Sequence, residues 1–179
     1  KNNFGPSDVG NWEFKFTATA DDSWDNNETA PVPFTLDKDD INITLIAGNN
    51  SVVNRSMAPT QSNATFSLIV YDTDRNVQLE AGTPGTAIIY VTTDPFNPET
   101  YIIDSSGSLQ GAGWINRTFP TSDRCSYGIG PLKWKAEFSS SAYKATNSSV
   151  FSVNTTTYPL QVNITYPINV TFRRGIDSI

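Results

Sequence analysis

Apolar and polar residues alternate with a period of two in many short segments of this chain. In Trp12–Ala18 the aromatic residues occupy alternate positions, and Leu132–Phe138 repeats the arrangement. Because the side chains of a strand point alternately to its two faces, this pattern predicts strands that bury one face. The other predicted strands are Ile41–Ile46, Thr65–Tyr71, Thr86–Thr92, Tyr101–Asp104, Ser149–Val153, Leu160–Tyr166 and Asn169–Phe172. Turn-forming groups such as Ala81–Gly85, Asp94–Pro98 and Ser105–Gly107 separate the strands, so we expect an all-β protein built as an antiparallel β-sandwich.

Two stretches of the chain follow the same order of glycine, strand and asparagine. The offset between them is 120 residues for the glycines, 117 for the phenylalanines and 121 for the asparagines, in the pairs Gly10–Gly130, Phe34–Phe151 and Asn42–Asn163. Offsets that agree this closely predict tandem repeats of about 118 residues. The simpler interpretation is that any two strand hairpins look alike.

The repeat interpretation divides the chain into three parts. Residues 1–36 are then the C-terminal strands of a preceding repeat, or a segment that a partner completes. Residues 41–153 form a complete sandwich, and 160–179 supply the first strands of a following repeat or a donor strand. The linkers are Asp37–Asp40 and Asn154–Pro159. We therefore expect either an excerpt of a longer chain or ends that another subunit completes.

Acceptor asparagines for N-glycosylation are the strongest chemical signal. Ten Asn-x-Ser/Thr sites are present: Asn27, Asn42, Asn49, Asn54, Asn63, Asn116, Asn147, Asn154, Asn163 and Asn169. The chain has 17 Asn and 39 Ser plus Thr among 179 residues, so chance would give about 3.7 such sites. The alternative is chance clustering in an Asn- and Thr-rich chain.

The local pattern around three acceptors favours glycosylation on strands. In Asn42-Ile43-Thr44 an apolar β-branched residue separates the asparagine from the threonine, and the sites at Asn163 and Asn169 share this arrangement. Residues i and i+2 of a strand share a face, so the asparagine and threonine point to solvent while the apolar residue points inward. A glycan fits there without disturbing the core, and such a protein is extracellular or on the cell surface.

Composition excludes several function classes. The net charge is −6 with only 12 Lys and Arg, so the clustered positive charge that nucleic-acid binding requires is missing. No run of 18 apolar residues is present, so we expect no membrane span in this segment. Cys125 is the only cysteine and cannot form an intrachain disulfide. It is most simply a small buried residue, and an intermolecular bridge is the alternative.

A family resemblance covers about 110 residues of the centre of the chain. Val70–Gly82 resembles the early strand and turn of immunoglobulin-like repeats in bacterial and archaeal surface proteins, although Arg75 and Asn76 stand where a glycine is often found. Gly128–Phe138 resembles their penultimate strand and Tyr143–Val153 their final strand. The resemblance implies an immunoglobulin-like antiparallel sandwich, in tandem, in a surface layer, adhesin or surface filament. Dense acceptors with one cysteine resemble an archaeal surface protein more than an animal receptor.

Catalysis and metal binding have few candidate residues. The chain has no histidine, so it lacks the commonest general base and metal ligand, and we predict no enzyme activity and no cofactor. Asp37, Asp39 and Asp40 lie at the predicted domain junction and could bind Ca²⁺ there. A second acidic run, Asp72-Thr73-Asp74, opens like a calcium loop but lacks its later ligands. The simpler interpretation of each cluster is a solvated turn.

The function we expect is structural. Such a chain would be a component of an extracellular surface layer or filament, with copies of itself or other surface subunits as partners, and would assemble by strand addition between subunits. The alternative is an adhesion or carbohydrate-binding module of a larger surface protein. Trp24 and Trp114 lie in polar surroundings and are the aromatic candidates for a ligand or subunit contact.

Overall fold

The structure is a computed structural model that describes residues 4–5, 8–19, 27–55, 62–120 and 126–157. The strands in these ranges are β1 (Gly10–Phe14), β2 (Thr17–Ala18), β3 (Asn27–Glu28), β4 (Val32–Leu36), β5 (Ile41–Ala47), β6 (Ser51–Asn54), β7 (Ala64–Asp72), β8 (Val77–Gln78), β9 (Thr86–Thr92), β10 (Tyr101–Gly107), β11 (Trp114–Phe119), β12 (Gly130–Ser139), β13 (Thr146–Asn147) and β14 (Phe151–Thr156). The described ranges contain no α-helix, and hence no helix that could cross a membrane. The expected all-β class is confirmed.

The strands β5 to β14 form two sheets. One sheet has the order β11-β7-β5, with β8 beside β7. The other has the order β10-β9-β12-β14-β6, with β13 beside β12. Neighbouring strands are antiparallel except β14 and β6, which run parallel from Val153 beside Ser51 to Thr156 beside Asn54. The chain therefore leaves the first sheet after β5 and joins the far edge of the second as β6.

A single core lies between the two sheets. Inward residues of β12 are almost fully buried at every second position, as the alternation in the sequence predicts. Phe66 of β7 stacks on Trp134 of β12 with ring centroids 4.0 Å apart, and Phe119 of β11 also stacks on Phe66, at 5.0 Å. Aromatic pairs of this kind add about 0.5–1.5 kcal/mol each beyond the area that they bury. The described sheets are thus joined as a β-sandwich.

The first four strands form a separate two-stranded ribbon, which we call the N-terminal hairpin. It comprises β1 with β2 along one side and β3 with β4 along the other. Trp12 lies opposite Phe34, and Phe14 lies opposite Val32. Phe4 contacts the rings of Trp12 and Phe34 edge-on, with centroids 5.6 and 5.7 Å away. None of the four strands pairs with a strand of the sandwich in the described part of the chain.

The strand predictions hold in most of the chain and fail at particular places. The strand at Thr86–Thr92 is confirmed to the residue, and those near 41–46 and 65–71 within one. The turn at Ser105–Gly107 is wrong, because β10 continues through it after an irregularity in the ladder between Ile103 and Ser105. The linker prediction from Asn154 is also wrong at its start, because β14 extends to Thr156. Leu160–Tyr166 and Asn169–Phe172 lie outside the described residues.

Candidate interaction surface and glycosylation sites

Most of the acceptor asparagines that the structure describes are exposed. Asn42 on β5 is exposed together with Thr44, while Ile43 between them is buried, as the pattern predicted. Asn147 on β13 and Asn154 on β14 are exposed on the other sheet. The remaining exposed acceptors are Asn27, Asn49 and Asn63. The two outward faces of the sandwich therefore both present acceptors.

Two described acceptors are half-buried, and the side-chain oxygens of Asn49 and Asn116 accept hydrogen bonds within the protein. Asn54 and Asn116 are half-buried, and the Oδ1 of Asn116 accepts a hydrogen bond from the Ser67 hydroxyl. The Oδ1 of Asn49 accepts a hydrogen bond from the backbone N–H of Ser152 at 3.0 Å. Both contacts engage the amide oxygen, and the glycan would be attached to the amide nitrogen. Asn163 and Asn169 lie outside the described residues.

The acidic run Asp37–Asp40 lies where the N-terminal hairpin meets the sandwich. The Oδ2 of Asp39 is 2.9 Å from the guanidinium of Arg75, whose other nitrogen is 2.8 Å from the buried carboxylate of Asp72. The ammonium of Lys144 lies 3.0 Å from Asp40 and 3.5 Å from Asp37. Arg75 follows β7 of one sheet, and Lys144 follows β12 of the other. Cations from both sheets therefore neutralise the aspartates of this run.

Backbone hydrogen bonds also fasten this junction. The N–H of Asp39 donates to the carbonyl of Ala142, and the N–H of Lys144 donates back to the carbonyl of Asp39, both at 3.0 Å. The N–H of Thr73 donates to the carbonyl of Asp40 at 3.0 Å. The segment before β5 is therefore held against two loops of the sandwich and is not a loose linker.

The pKa of Asp37 is lowered by this arrangement. The main cause is the hydrogen bond from the N–H of Lys38, and the positive charge of Lys144 adds to it. In turn, the pKa of Lys144 is raised, chiefly by its hydrogen bond to Asp40. The calcium site predicted at Asp37, Asp39 and Asp40 gains no support from these contacts, since protein cations occupy the carboxylates and no group of three metal-binding side chains is gathered within the described ranges.

The second acidic run is also engaged by the protein itself. The Oδ1 of Asp72 accepts the N–H of Arg75 at 2.9 Å, which closes the turn, and its Oδ2 binds the Arg75 guanidinium. The Oδ2 of Asp74 accepts the N–H of Asp40 at 3.2 Å. These contacts tie the β7–β8 turn to the junction, so the acidic residues have a structural explanation.

The predicted aromatic contact residues are placed differently. Trp114 is half-buried at the start of β11, beside Ile69 of β7, and its backbone closes a tight turn with Gln110. Trp24 and Cys125 lie outside the described residues. Of the two predicted contact residues, only Trp114 lies in the described part of the chain, and it lies beside a turn.

The N-terminal hairpin repeats the strand register of β12 with β13 and β14. The five β1–β4 pairs run from Gly10 opposite Leu36 to Phe14 opposite Val32, and the corresponding sandwich pairs run from Gly130 opposite Thr155 to Trp134 opposite Phe151. The β2–β3 pairs correspond to the β12–β13 pairs in the same way. If 120 is added to the residue number on the first strand of a pair and 119 to that on the second, every described pair of the hairpin gives the numbers of a pair in the sandwich.

Two further details coincide. Gly10 and Gly130 both have positive φ angles, 133° and 128°. In the hairpin the N–H of Phe16 donates to the hydroxyl of Thr29, and in the sandwich the N–H of Ala136 donates to the hydroxyl of Ser148. The backbone bond in the reverse direction is also present at both places. The register aligns Phe34 with Val153, two residues away from the alignment of Phe34 with Phe151 that the sequence suggested.

The equivalent positions differ greatly in burial. Trp134 and Ala136 are fully buried against the facing sheet, whereas Phe14 and Phe16 are 45% and 70% exposed. Val32 is also 46% exposed. These side chains project from the face that corresponds to the core face of β12 and β14. We call this surface, formed by Phe14, Phe16, Val32 and Phe34, the open face of the hairpin.

No known family matches the chain, and no curated protein matches it either. The site must be interpreted from its own residues.

Sequence reasoning missed the open face and several strands, among them β4, β6 and β11. The alternation in Trp12–Ala18 was visible, but nothing in a single sequence shows that its apolar side is left uncovered. The strand β11 was missed because Asn116 and Arg117 interrupt its apolar residues, and β6 is only four residues long. The register relates the two hairpins by 119 to 120 residues, whereas the sequence pattern suggested about 118.

Proposed function

We propose that this protein is an N-glycosylated structural component of an extracellular assembly, a surface layer or a filament, built from immunoglobulin-like sandwiches. The observation that carries the proposal is the exposure of most of the described acceptors, on both faces of a strand-only sandwich and, at Asn27, on the N-terminal hairpin. Eight of the ten acceptors are described, and six of these are exposed. Glycans there would cover the flat faces and leave edges and ends free for contacts between subunits.

The strand order supports the immunoglobulin-like part of the proposal. If β5, β7, β9, β10, β11, β12 and β14 are taken as strands A, B, C, C′, E, F and G, one sheet contains A, B and E and the other contains C′, C, F and G. This division is that of immunoglobulin-like sandwiches. A strand D is missing between β10 and β11 in the described part, and β6 is an addition beside G.

The mechanism in this proposal is mechanical and steric. The stacked rings of Phe66, Phe119 and Trp134 make a rigid core, and the ion pairs of Arg75 and Lys144 fix the direction in which the preceding segment leaves it. A rigid unit with a fixed junction maintains spacing between neighbours. The chain has no histidine, and its described carboxylates near the junction are bound to Arg75 and Lys144, so we propose no catalytic role.

Glycopeptide mass spectrometry of the protein from its native cells tests this function. We expect glycans at the exposed strand positions Asn42, Asn147 and Asn154. An Asn42→Gln variant should lose its glycan and keep its free energy of unfolding within about 0.5 kcal/mol, since surface substitutions of this kind are nearly neutral. Native protein without sugar at most of the described acceptors would contradict the proposal.

The same material separates the structural role from adhesion or carbohydrate binding. A binding module needs a bare patch that accepts a small ligand, and Trp114→Ala should then abolish binding while the protein stays folded. The structural role instead predicts that Trp114→Ala leaves assembly unchanged, as followed by light scattering. Loss of sugar binding on a glycan array in this variant would favour the alternative.

A further inference from the structure

The open face of the hairpin resembles one half of a sandwich, and the described residues include no strands that cover it. In the sandwich, β9 pairs with the inner edge of β12, and Phe66 of β7 covers Trp134. Two further strands border the equivalent hairpin: β6 adds in parallel to the outer edge of β14, and β5 lies in the facing sheet, where it contacts β12 and β13. In the N-terminal hairpin the outer edge of β4 has no partner strand in the described part of the chain. An uncovered edge beside exposed aromatic residues is a template for strand addition.

After residue 160 the sequence repeats the pattern of residues in β5 and β6. Val162-Asn163-Ile164-Thr165 follows the pattern of Ile41-Asn42-Ile43-Thr44 in β5, and Ile168-Asn169-Val170-Thr171 can take the place of Ser51-Val52-Val53-Asn54 in β6. In this alignment Val170 corresponds to Val53, which is buried, and Asn169 to Val52, which is exposed. The apolar residues of both segments would then point inward and their acceptor asparagines outward.

The two ends of the sandwich decide which copy supplies these strands. Asp39 joins the sandwich beside Ala142, just after β12 ends, while Thr156 ends β14 beside the start of β12 at Gly130. A strand of ten residues such as β12 is about 33 Å long. The hairpin and residues 160–172 are therefore attached to opposite ends of the sandwich.

If residues 160–172 docked on the hairpin of their own chain, many of them would be needed to span the sandwich and would not be available to cover the open face. To bring Asn169 beside β4, residues 157–168 would have to run back along the sandwich as an extended tether of about 40 Å. They could not then lie over the open face. A second copy placed head to tail needs no such tether, and a head-to-tail contact of this kind repeats into a filament.

We propose that residues 160–172 of a second copy dock on the N-terminal hairpin. Residues 168–171 add in parallel to the outer edge of β4, with Asn169 beside Thr35 and Val170 beside Leu36, as Val52 and Val53 lie beside Asn154 and Thr155. Val162 and Ile164 lie over the Phe16 end of the open face, as β5 lies against β13. The inference rests on the proposed assembly function, for which it names the contact.

Disulfide trapping between two different single-cysteine chains tests this register. In unglycosylated recombinant protein with Cys125→Ser, one chain carries Thr35→Cys and the other Asn169→Cys. Neighbouring strands bring Cα atoms into the range that a disulfide spans. The control is Asn11→Cys, because Asn11 is the cross-strand neighbour and hydrogen-bond partner of Thr35 and lies one strand farther from the β4 edge. We expect the mixed disulfide with T35C and a loss of about nine-tenths of it with N11C.

Each outcome has a distinct meaning. Equal trapping with T35C and N11C, or none while light scattering shows that the chains assemble, overturns this inference and leaves the proposed function standing. A chain that stays monomeric at every concentration contradicts both this inference and the proposed function. A T35C/N169C double variant that forms its disulfide within one chain, as a monomer on a non-reducing gel, overturns the role of the second copy.

Discussion

The N-terminal hairpin and the β12–β14 hairpin share their strand register but differ in what covers them. At the same relative position stand Trp134, which is fully buried, and Phe14, which is nearly half exposed. The hydroxyl of Ser148 is enclosed in the sandwich, while that of Thr29 makes the same hydrogen bond at the surface. Register therefore follows from local pairing, and burial follows from a second sheet, which among the described residues covers only the β12–β14 hairpin.

The difference separates two sources of stability. Backbone pairing alone gives a two-stranded ribbon that is marginal in water, since a hairpin needs a third strand or a covering layer for independent stability. The sandwich adds the buried surface of β5, β7 and β11. The N-terminal hairpin should thus tolerate substitutions that destabilise the sandwich when they are made at the equivalent positions of the β12–β14 hairpin. Four comparisons test this.

The largest expected effect comes from the matched pair Trp134→Ala and Phe14→Ala. Removing a fully buried aromatic ring leaves a cavity and should cost the sandwich about 3–5 kcal/mol of its free energy of unfolding. Removing Phe14 should cost the same sandwich less than about 0.5 kcal/mol, because this ring is nearly half exposed and its described aromatic partners, Phe16 and Phe34, belong to the hairpin. Urea unfolding followed by far-ultraviolet circular dichroism, on dilute protein, measures both. Equal losses would mean that the hairpin is part of the sandwich core.

A smaller effect is expected from the hydroxyl pair Ser148→Ala and Thr29→Val. Ser148→Ala leaves the buried N–H of Ala136 without its side-chain acceptor and should cost about 1–3 kcal/mol. Thr29→Val removes the same bond from the exposed N–H of Phe16, where water replaces it, so unfolding of the sandwich should not change. Unglycosylated protein is used because Thr29 belongs to the Asn27 acceptor site. A neutral Ser148→Ala would show that water enters the sandwich at this position.

The junction between the two regions should respond to Arg75→Ala. This variant leaves the buried carboxylate of Asp72 without its cation and removes the ion pair of Asp39, and we expect a loss of about 1–2 kcal/mol. Its control is Lys133→Ala, whose surface pair with Glu99 should contribute less than about 0.5 kcal/mol. Denaturant titrations of the two variants give the comparison. A smaller loss with Arg75→Ala than with Lys133→Ala would show that the junction is not fastened as described.

The smallest effect is the pH dependence of Asp37. Its pKa lies below the ordinary value of 3.8, because the N–H of Lys38 and the charge of Lys144 favour the carboxylate. A lowered carboxyl pKa stabilises the folded state above the unfolded value, and this contribution is lost as the pH falls through the folded value. Carbon-13 NMR should show the pKa rising in Lys144→Ala but not in Lys133→Ala. An unchanged pKa in Lys144→Ala would exclude the Lys144–Asp37 attraction.

Local alternation in the sequence is sufficient to predict the class of fold and most strands. Ile43 is inward and Asn42 outward because a strand has no other choice once one face is buried. The failures lie where tertiary contacts decide: Ser105 continues a strand past an irregularity, and the aspartates of the junction bind Arg75 and Lys144, which are distant in sequence. The uncovered state of Phe14 and Phe16 was not predictable, because it depends on strands that are not next to them.

Hydrogen exchange at two equivalent amides tests the central claim most directly, namely that a second copy covers the open face of the N-terminal hairpin. The N–H groups of Phe16 and Ala136 make the same hydrogen bond, so their exchange rates compare the two environments. We predict that exchange at Phe16 slows as the protein concentration rises and approaches that at Ala136, and that it stays fast in a variant lacking residues 160–179. Exchange at Phe16 that stays fast while the intact chains assemble would contradict the account.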